Sequence, residues 1–217
     1  MALDLFQQLL AAPQTVFSFK ELLLRWGQTL TPAQLSAKLN YRVQQGDLYQ
    51  IRRGLYTKNS VYDRLELATK IYTPAYISFE TVLVPAGIIF QHYTAIFVAS
   101  YQTRTVTCDE QVYIFKQLKA TILTNSAGLD IKAYYTIASP ERAFLDTVYL
   151  HPRYHFDNLA PLDWQKVGQL LPVYGYNKAF LKRVQMYHQA YQAEQNQPNS
   201  QSHLRAVNCQ CQRTLTR

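Results

Sequence analysis

Apolar residues along the first sixty positions recur at helical intervals, and start and stop signals divide them into three runs. Leu3, Leu5, Phe6, Leu9 and Leu10 share one helical face, and Pro13 ends that helix. Ser18 with Glu21 three positions later has the form of a capping box, opening a second helix through Trp26 that stops at Gly27. Thr31 can cap a third helix, Pro32 suits its first turn because an amide there would have no partner, and Gly46 can close it in a left-handed conformation. This third helix is predicted over 32–45, with Leu35, Leu39 and Val43 as the stripe that packs inward. Two short strand-like segments, 48–51 and 55–58, then flank Arg52-Arg53-Gly54, which predicts a hairpin with a charged tip.

Beyond residue 62 the period changes. Helical spacing holds over 63–71, and Ser78 is expected to cap a helix running to about Ala86 and ending at Gly87. Segments 95–100, 103–107, 111–117, 120–124 and 131–137 are rich in Val, Ile, Thr, Tyr and Phe and are predicted as strands of a mainly antiparallel sheet. Ser139-Pro140-Glu141 starts another helix, with Phe144, Leu145, Val148 and Tyr149 as its buried stripe, and two more helices follow over 163–171 and 177–191. From Glu194 the chain reads Gln-Asn-Gln-Pro-Asn-Ser-Gln-Ser, a polar composition predicted to be disordered. The expected fold is α+β. A winged helix-turn-helix over 1–62 is followed by a mixed α/β C-terminal domain with a mainly antiparallel sheet over 63–193, then a tail over 194–217.

Composition sharpens this outline. The 217 residues carry a formal charge of +8, yet only 17% are charged, so the excess reflects scarce acids rather than long basic blocks. Half of it lies in the first 62 residues, which hold seven basic and three acidic side chains. Within them Lys38, Arg42, Arg52, Arg53 and Lys58 come late and face only Asp47 in sequence. A local basic footprint on a small module points to nucleic acid more strongly than a high whole-chain isoelectric point. Three cysteines are too few for a disulfide scaffold, the chain opens without a basic signal-peptide region, and no run approaches about 18 apolar residues, so a cytoplasmic protein with no membrane partner is expected.

Chemistry follows from the outer face of the third helix. Gln34, Lys38, Tyr41 and Gln45 stand at i, i+4, i+7 and i+11, with Arg42 alongside. Amide, phenol and cationic groups on one helix face are the groups that read base edges and phosphates in a major groove. Arg52, Arg53 and Lys58 on a stiff hairpin would add positive charge beside it. Double-stranded DNA is therefore the expected partner. A homodimer would meet half-sites about one helical turn, or a multiple of it, apart.

Enzyme signatures are sparse. The sequence has no Walker loop, no G-x-S-x-G elbow and no H-E-x-x-H, and no cofactor is expected. The best catalytic grouping is Asp109-Glu110 with Asp130-Ile131-Lys132, where carboxylates could hold Mg²⁺ and the lysine could stabilise developing charge in a nuclease. His92, His151, His155 and His188 lack metal-ligand spacing, and Cys209-x-Cys211 is one residue short of a zinc knuckle, so no metal site is expected. A metal-dependent nuclease and a protein-interaction module stand as alternatives to the DNA-binding regulator.

Three further segments, taken together, resemble a known family. They are Gly46-Asp47-Leu48-Tyr49-Gln50-Ile51-Arg52-Arg53-Gly54-Leu55-Tyr56, Ala75-Tyr76-Ile77-Ser78-Phe79-Glu80-Thr81-Val82-Leu83 with Gly87, and Ile137-Ala138-Ser139-Pro140-Glu141-Arg142-Ala143-Phe144-Leu145-Asp146. In order and spacing they resemble the AbiEi family of type IV antitoxins, regulators encoded beside nucleotidyltransferase-like toxins in abortive-infection systems. The resemblance covers roughly residues 20–150. It implies a winged-helix domain that binds inverted repeats upstream of its own operon, and a C-terminal domain needed for antitoxin activity. It further implies that Arg52 and Arg53 are wing contacts and that the third-helix face reads the operator. Read without chemistry, Pro140 and Glu141 favour a helix N-terminus, and Asp146 is expected to cap or pair locally.

Overall fold

A computed structural model describes residues 5–196. Helix α1 (Leu5–Ala11) leads into strand β1 (Val16–Ser18), which the sequence reading missed because three residues carry too little periodicity. The predicted capping box at Ser18 forms, and the cap expected at Thr31 is a capping box too, with Gln34 as its partner. Ser18 Oγ accepts from the Glu21 amide at 3.1 Å at the start of α2 (Phe19–Trp26), and Thr31 caps α3 (Pro32–Gln44). Gly46 takes φ +77°, the left-handed stop expected of it. The hairpin follows as β2 (Tyr49–Arg52) and β3 (Leu55–Thr57), with a bulge between Gln50 and Arg52 and Gly54 at φ +78°. Strand β1 joins it in a three-stranded antiparallel sheet of order β1-β3-β2.

Strand alternation splits this small sheet between two cores. Phe17 and its cross-strand partner Tyr56 turn toward Leu9, Leu22, Trp26, Leu35, Leu39 and Leu48, which fill the space between the three helices. Val16 and Leu55, one position along on each strand, face the other way and join the large core. Helix α4 (Arg64–Ile71), capped by Asp63, packs on that outer face. Its Glu66, with a side chain 1% exposed, accepts from the Thr15 amide and hydroxyl at 2.9 and 2.6 Å and pairs with Lys70 at 3.0 Å. Lys70 also donates to the Val16 carbonyl at 2.7 Å. A buried ionic link thus fastens β1 to α4 and the first part of the chain to the second.

The larger part is built on a six-stranded sheet. In chain order come β4 (Ala75–Ile77), helix α5 (Glu80–Leu83), β5 (Ile96–Ser100), β6 (Arg104–Cys108), β7 (Gln111–Gln117), helix α6 (Ala120–Leu123), β8 (Leu129–Ile131) and β9 (Thr136–Ala138). The strand order is β6-β7-β5-β4-β9-β8. Three of its neighbouring pairs are antiparallel, while β5–β7 and β4–β9 are parallel, so the sheet is mixed. The whole is α+β. Helices α7 (Pro140–Leu150), α8 (Trp164–Leu170) and α9 (Lys178–Gln195) complete it, with a 3-10 turn over Leu171–Tyr174.

Several expectations need correction here. Residues 120–124 form the short helix α6 rather than a strand, because Leu118, Ile122 and Leu123 are the buried positions and their spacing fits a turn of helix. The single strand expected over 131–137 is the hairpin β8–β9, whose turn separates Ile131 from Thr136. Ser78 caps nothing; Phe79 precedes α5 with φ +57°, and the Ser78 hydroxyl donates instead to Asp146 at 2.8 Å. Tyr49 lies opposite Thr57 and Tyr56 opposite Gln50, so the two rings fall on opposite faces of the hairpin. Glu194 and Gln195 of the expected tail close α9, Asn196 is its C-cap, and residues 197–217, with Cys209 and Cys211, lie outside the described residues. No helix among the described residues is long and apolar enough to cross a membrane.

Candidate nucleic-acid interface

The α3 face assembles as its spacing requires, but its members are not equally available. Lys38 and Gln45 are exposed, and Tyr41 is 56% exposed. Gln34 is exposed too, yet its side-chain oxygen accepts from the Thr31 amide at 2.9 Å, so half of its amide is committed to starting the helix. Arg42 is half-buried. It pairs with Asp47 at 2.9 Å and lies 4.1 Å above the Phe6 ring, binding the end of α3 to α1.

The hairpin cations also divide. Arg53 is exposed at the turn, which is pinned in place because the Phe19 amide donates to the Gly54 carbonyl at 2.8 Å. Arg52 is half-buried, its guanidinium 5.9 Å from the Tyr72 ring centroid, so it leans toward the large sheet. Nearby the Cys108 thiol donates to the Ile51 carbonyl at 3.7 Å, and burial pushes that thiol's pKa up. Lys58 is turned to the end of α1, where it donates to the Leu10 carbonyl at 3.0 Å and to the Ala12 carbonyl. Burial holds its ammonium below the usual lysine range, with Glu66 pulling the other way. A lysine neutralising the orphan carbonyls of a helix end is a structural use. Lys38, Tyr41, Gln45 and Arg53 therefore remain as the outward set. The exposure of the three α3 residues was legible from helical phase and that of Arg53 from its place at a turn, whereas the commitments of Arg52 and Lys58, and of Arg42 to Phe6, depend on neighbours distant in sequence.

The grouping that would make a nuclease is not brought together. Asp109 and Glu110 form the β6–β7 turn with φ of +50° and +63°, and Asp130 lies in β8. Strands β6 and β8 are the two opposite edges of the six-stranded sheet. Gly128 precedes β8 at φ +70°, and a Cβ there would sit 2.9 Å from Leu170, so this glycine serves the turn. Among the described residues no three His, Cys, Asp or Glu side chains come together as a metal ion needs. Of the histidines, His188 stacks on Trp164 at 4.5 Å.

Sequence reading also missed a polar centre inside α7. Asp146 is fully buried and accepts from Tyr76 at 3.0 Å, Ser78 at 2.8 Å and Tyr174 at 2.7 Å, with Arg142 Nε 3.5 Å away. Arg142, also fully buried, donates to the carbonyls of Ala127 at 2.8 Å and Ile122 at 2.7 Å. Burial pushes the Asp146 carboxyl up against the pull of Arg142 and the three hydroxyls, and pushes Tyr76 and Tyr174 up as well. Asp146 is thus no cap, though it does pair locally, with Arg142 one turn back. It joins β4, α7 and the 3-10 turn, and neither Asp146 nor Arg142 reaches solvent.

No protein-family model matches this chain, and no curated protein matches it in sequence. Among solved structures it is similar to the RV2827C protein of Mycobacterium tuberculosis, with a TM-score of 0.46 and 11% identity over 82% of this chain and 72% of that one.

Proposed function

We propose that this chain is a sequence-specific DNA-binding transcriptional regulator whose first sixty residues act as a winged helix-turn-helix. The observation that carries the reading is the outward set on α3, Lys38, Tyr41 and Gln45, beside a pinned hairpin that exposes Arg53. An α-helix fits the major groove, and an arginine on a neighbouring hairpin supplies charge to the backbone. Helix, strand, two helices and hairpin, with β1 beside β3, is an order compatible with a winged helix. On the AbiEi resemblance, the operator is an inverted repeat upstream of the chain's own operon, and the larger part serves to neutralise a nucleotidyltransferase-like toxin encoded nearby.

The test is fluorescence anisotropy with a labelled duplex from the region upstream of the gene, titrated at several salt concentrations. Specific binding that weakens steeply with salt is expected, and the variant Lys38→Ala/Arg53→Ala should bind more weakly with a shallower salt slope. Equal affinity for that duplex and a scrambled one, or an unchanged slope in the double variant, would overturn the reading.

A further inference from the structure

Between α1 and α3, beside the end of α2, the small core leaves a cavity of about 400 Å³. Phe6, Leu9, Trp26 and Leu35 line it, and the exposed Lys38 and Tyr41 stand at its rim. It is a cleft partly open to solvent, and its volume lies in the range that small organic ligands occupy. The walls are mostly aliphatic with three aromatic rings, which favours an apolar body over a sugar or a bare phosphate as occupant.

Trp26, 6% exposed, forms one wall of the cleft. One polar feature sets the chemistry. Lys38 makes no ion pair among the described residues, so its ammonium is at hand for an anionic group at the rim. Arg42, committed to Asp47 and to the Phe6 face, holds one wall in position.

We infer that this cavity binds a small aromatic carboxylate, its ring among Phe6, Trp26 and Leu35 and its charge near Lys38. The binding site stands on its own geometry. A regulatory consequence rests on the DNA-binding reading above: carboxylate and DNA phosphate compete for the Lys38 ammonium, so ligand and operator weaken one another reciprocally.

The experiment uses the full chain carrying Trp164→Phe, which leaves Trp26 as the sole indole emitter, and 4-phenylbutyrate as the probe. A saturable change in emission is expected, about fivefold weaker in affinity for the neutral 4-phenylbutanol and for Lys38→Gln. Ala37, at the exposed edge of the cavity, permits a blocking variant, Ala37→Phe, which should fold and lose the response. Absence of a saturable change in the folded chain, equal affinity in Lys38→Gln, or an undiminished response in Ala37→Phe would overturn the site. With the upstream duplex, saturating probe should weaken binding by the full chain and leave Ala37→Phe unaffected; equal affinity with and without probe in the full chain would overturn the coupling. If no specific DNA is bound while the emission change persists, the DNA reading fails and the ligand site stands.

Discussion

Helices α3 and α7 begin alike and end up as opposites. Each has a hydroxyl residue at the N-cap, Thr31 or Ser139, followed by a proline in the first turn. Each carries charged and other polar side chains among apolar ones. On α3 those polar side chains face outward, and the buried residues are Leu35 and Leu39. On α7 Glu141, Arg142, Asp146 and Thr147 are buried together with Phe144, Leu145 and Val148. The difference lies in what surrounds each helix. Helix α3 covers one side of a small core, whereas α7 is packed by α5, α8, α9 and β9, so no face remains for solvent and its polar groups must find partners inside. A helix of the first kind is free to contact a partner. One of the second kind is committed to holding its domain together.

The sharpest way to break this contrast is to remove a buried partner. Asp146→Ala leaves Arg142 uncompensated and three hydroxyls without their acceptor, and should destabilise the fold by about 3–5 kcal/mol in urea denaturation. Replacing both charges by Arg142→Met/Asp146→Leu should cost less than the sum of the single changes, since an apolar pair leaves no buried charge. A cost near zero for Asp146→Ala would mean that the α7 network is ornamental and that the two helices differ only in exposure.

Next in size is the link between the two cores. Glu66→Ala removes the acceptor of the Thr15 amide and hydroxyl and a partner of Lys70, and should cost about 2–3 kcal/mol. Protection of amides in β1 against hydrogen exchange should fall with it, because that strand is fastened to α4 through Glu66. Unchanged protection in β1 would locate the strength of the junction in Val16 and Leu55 instead.

Smaller effects test where the two helices agree. Thr31→Ala and Ser139→Ala each remove an N-cap acceptor and should cost about 1 kcal/mol, by comparable shifts in thermal midpoint. A much larger loss for Ser139→Ala would attach the cap of α7 to the buried network rather than to the helix start. The smallest stability change is expected on the outward face of α3 and its hairpin: Lys38→Ala and Arg53→Ala should each stay within about 0.5 kcal/mol. On the proposed function, each would lower the salt slope of DNA binding by about one. A large stability loss at Lys38 would make the α3 face structural and bring it closer to α7.

Local signals were the legible ones. The caps at Ser18, Thr31 and Ser139, the left-handed glycine at position 46 and the alternation of β7 all act within a few residues of chain, so composition and spacing reveal them. The reading failed where the deciding contact is remote. Residues 120–124 have strand-like composition, but their ends are folded into a helical turn whose Ile122 carbonyl is held by Arg142, twenty positions on. Ser78 has the residue type of a helix cap and spends its hydroxyl on Asp146, sixty-eight positions away. In the candidate interface the same holds: helical phase predicted that Lys38, Tyr41 and Gln45 share an outer face, and nothing local could reveal that Lys58 serves the end of α1 or that Arg52 leans on Tyr72.

The sequence by itself therefore determined where the longer helices start, where most strands run and which side of α3 is polar, because these follow from backbone stereochemistry and from periodicity over a turn or two. Only the tertiary structure decided which charges are outward and which are spent inside, that β1 and β3 serve two cores at once, and that the acidic pieces of a would-be nuclease stand on opposite edges of a sheet. Those outcomes depend on the low dielectric and close packing of an interior assembled from distant segments, where a buried polar group must find its partner wherever the fold brings one.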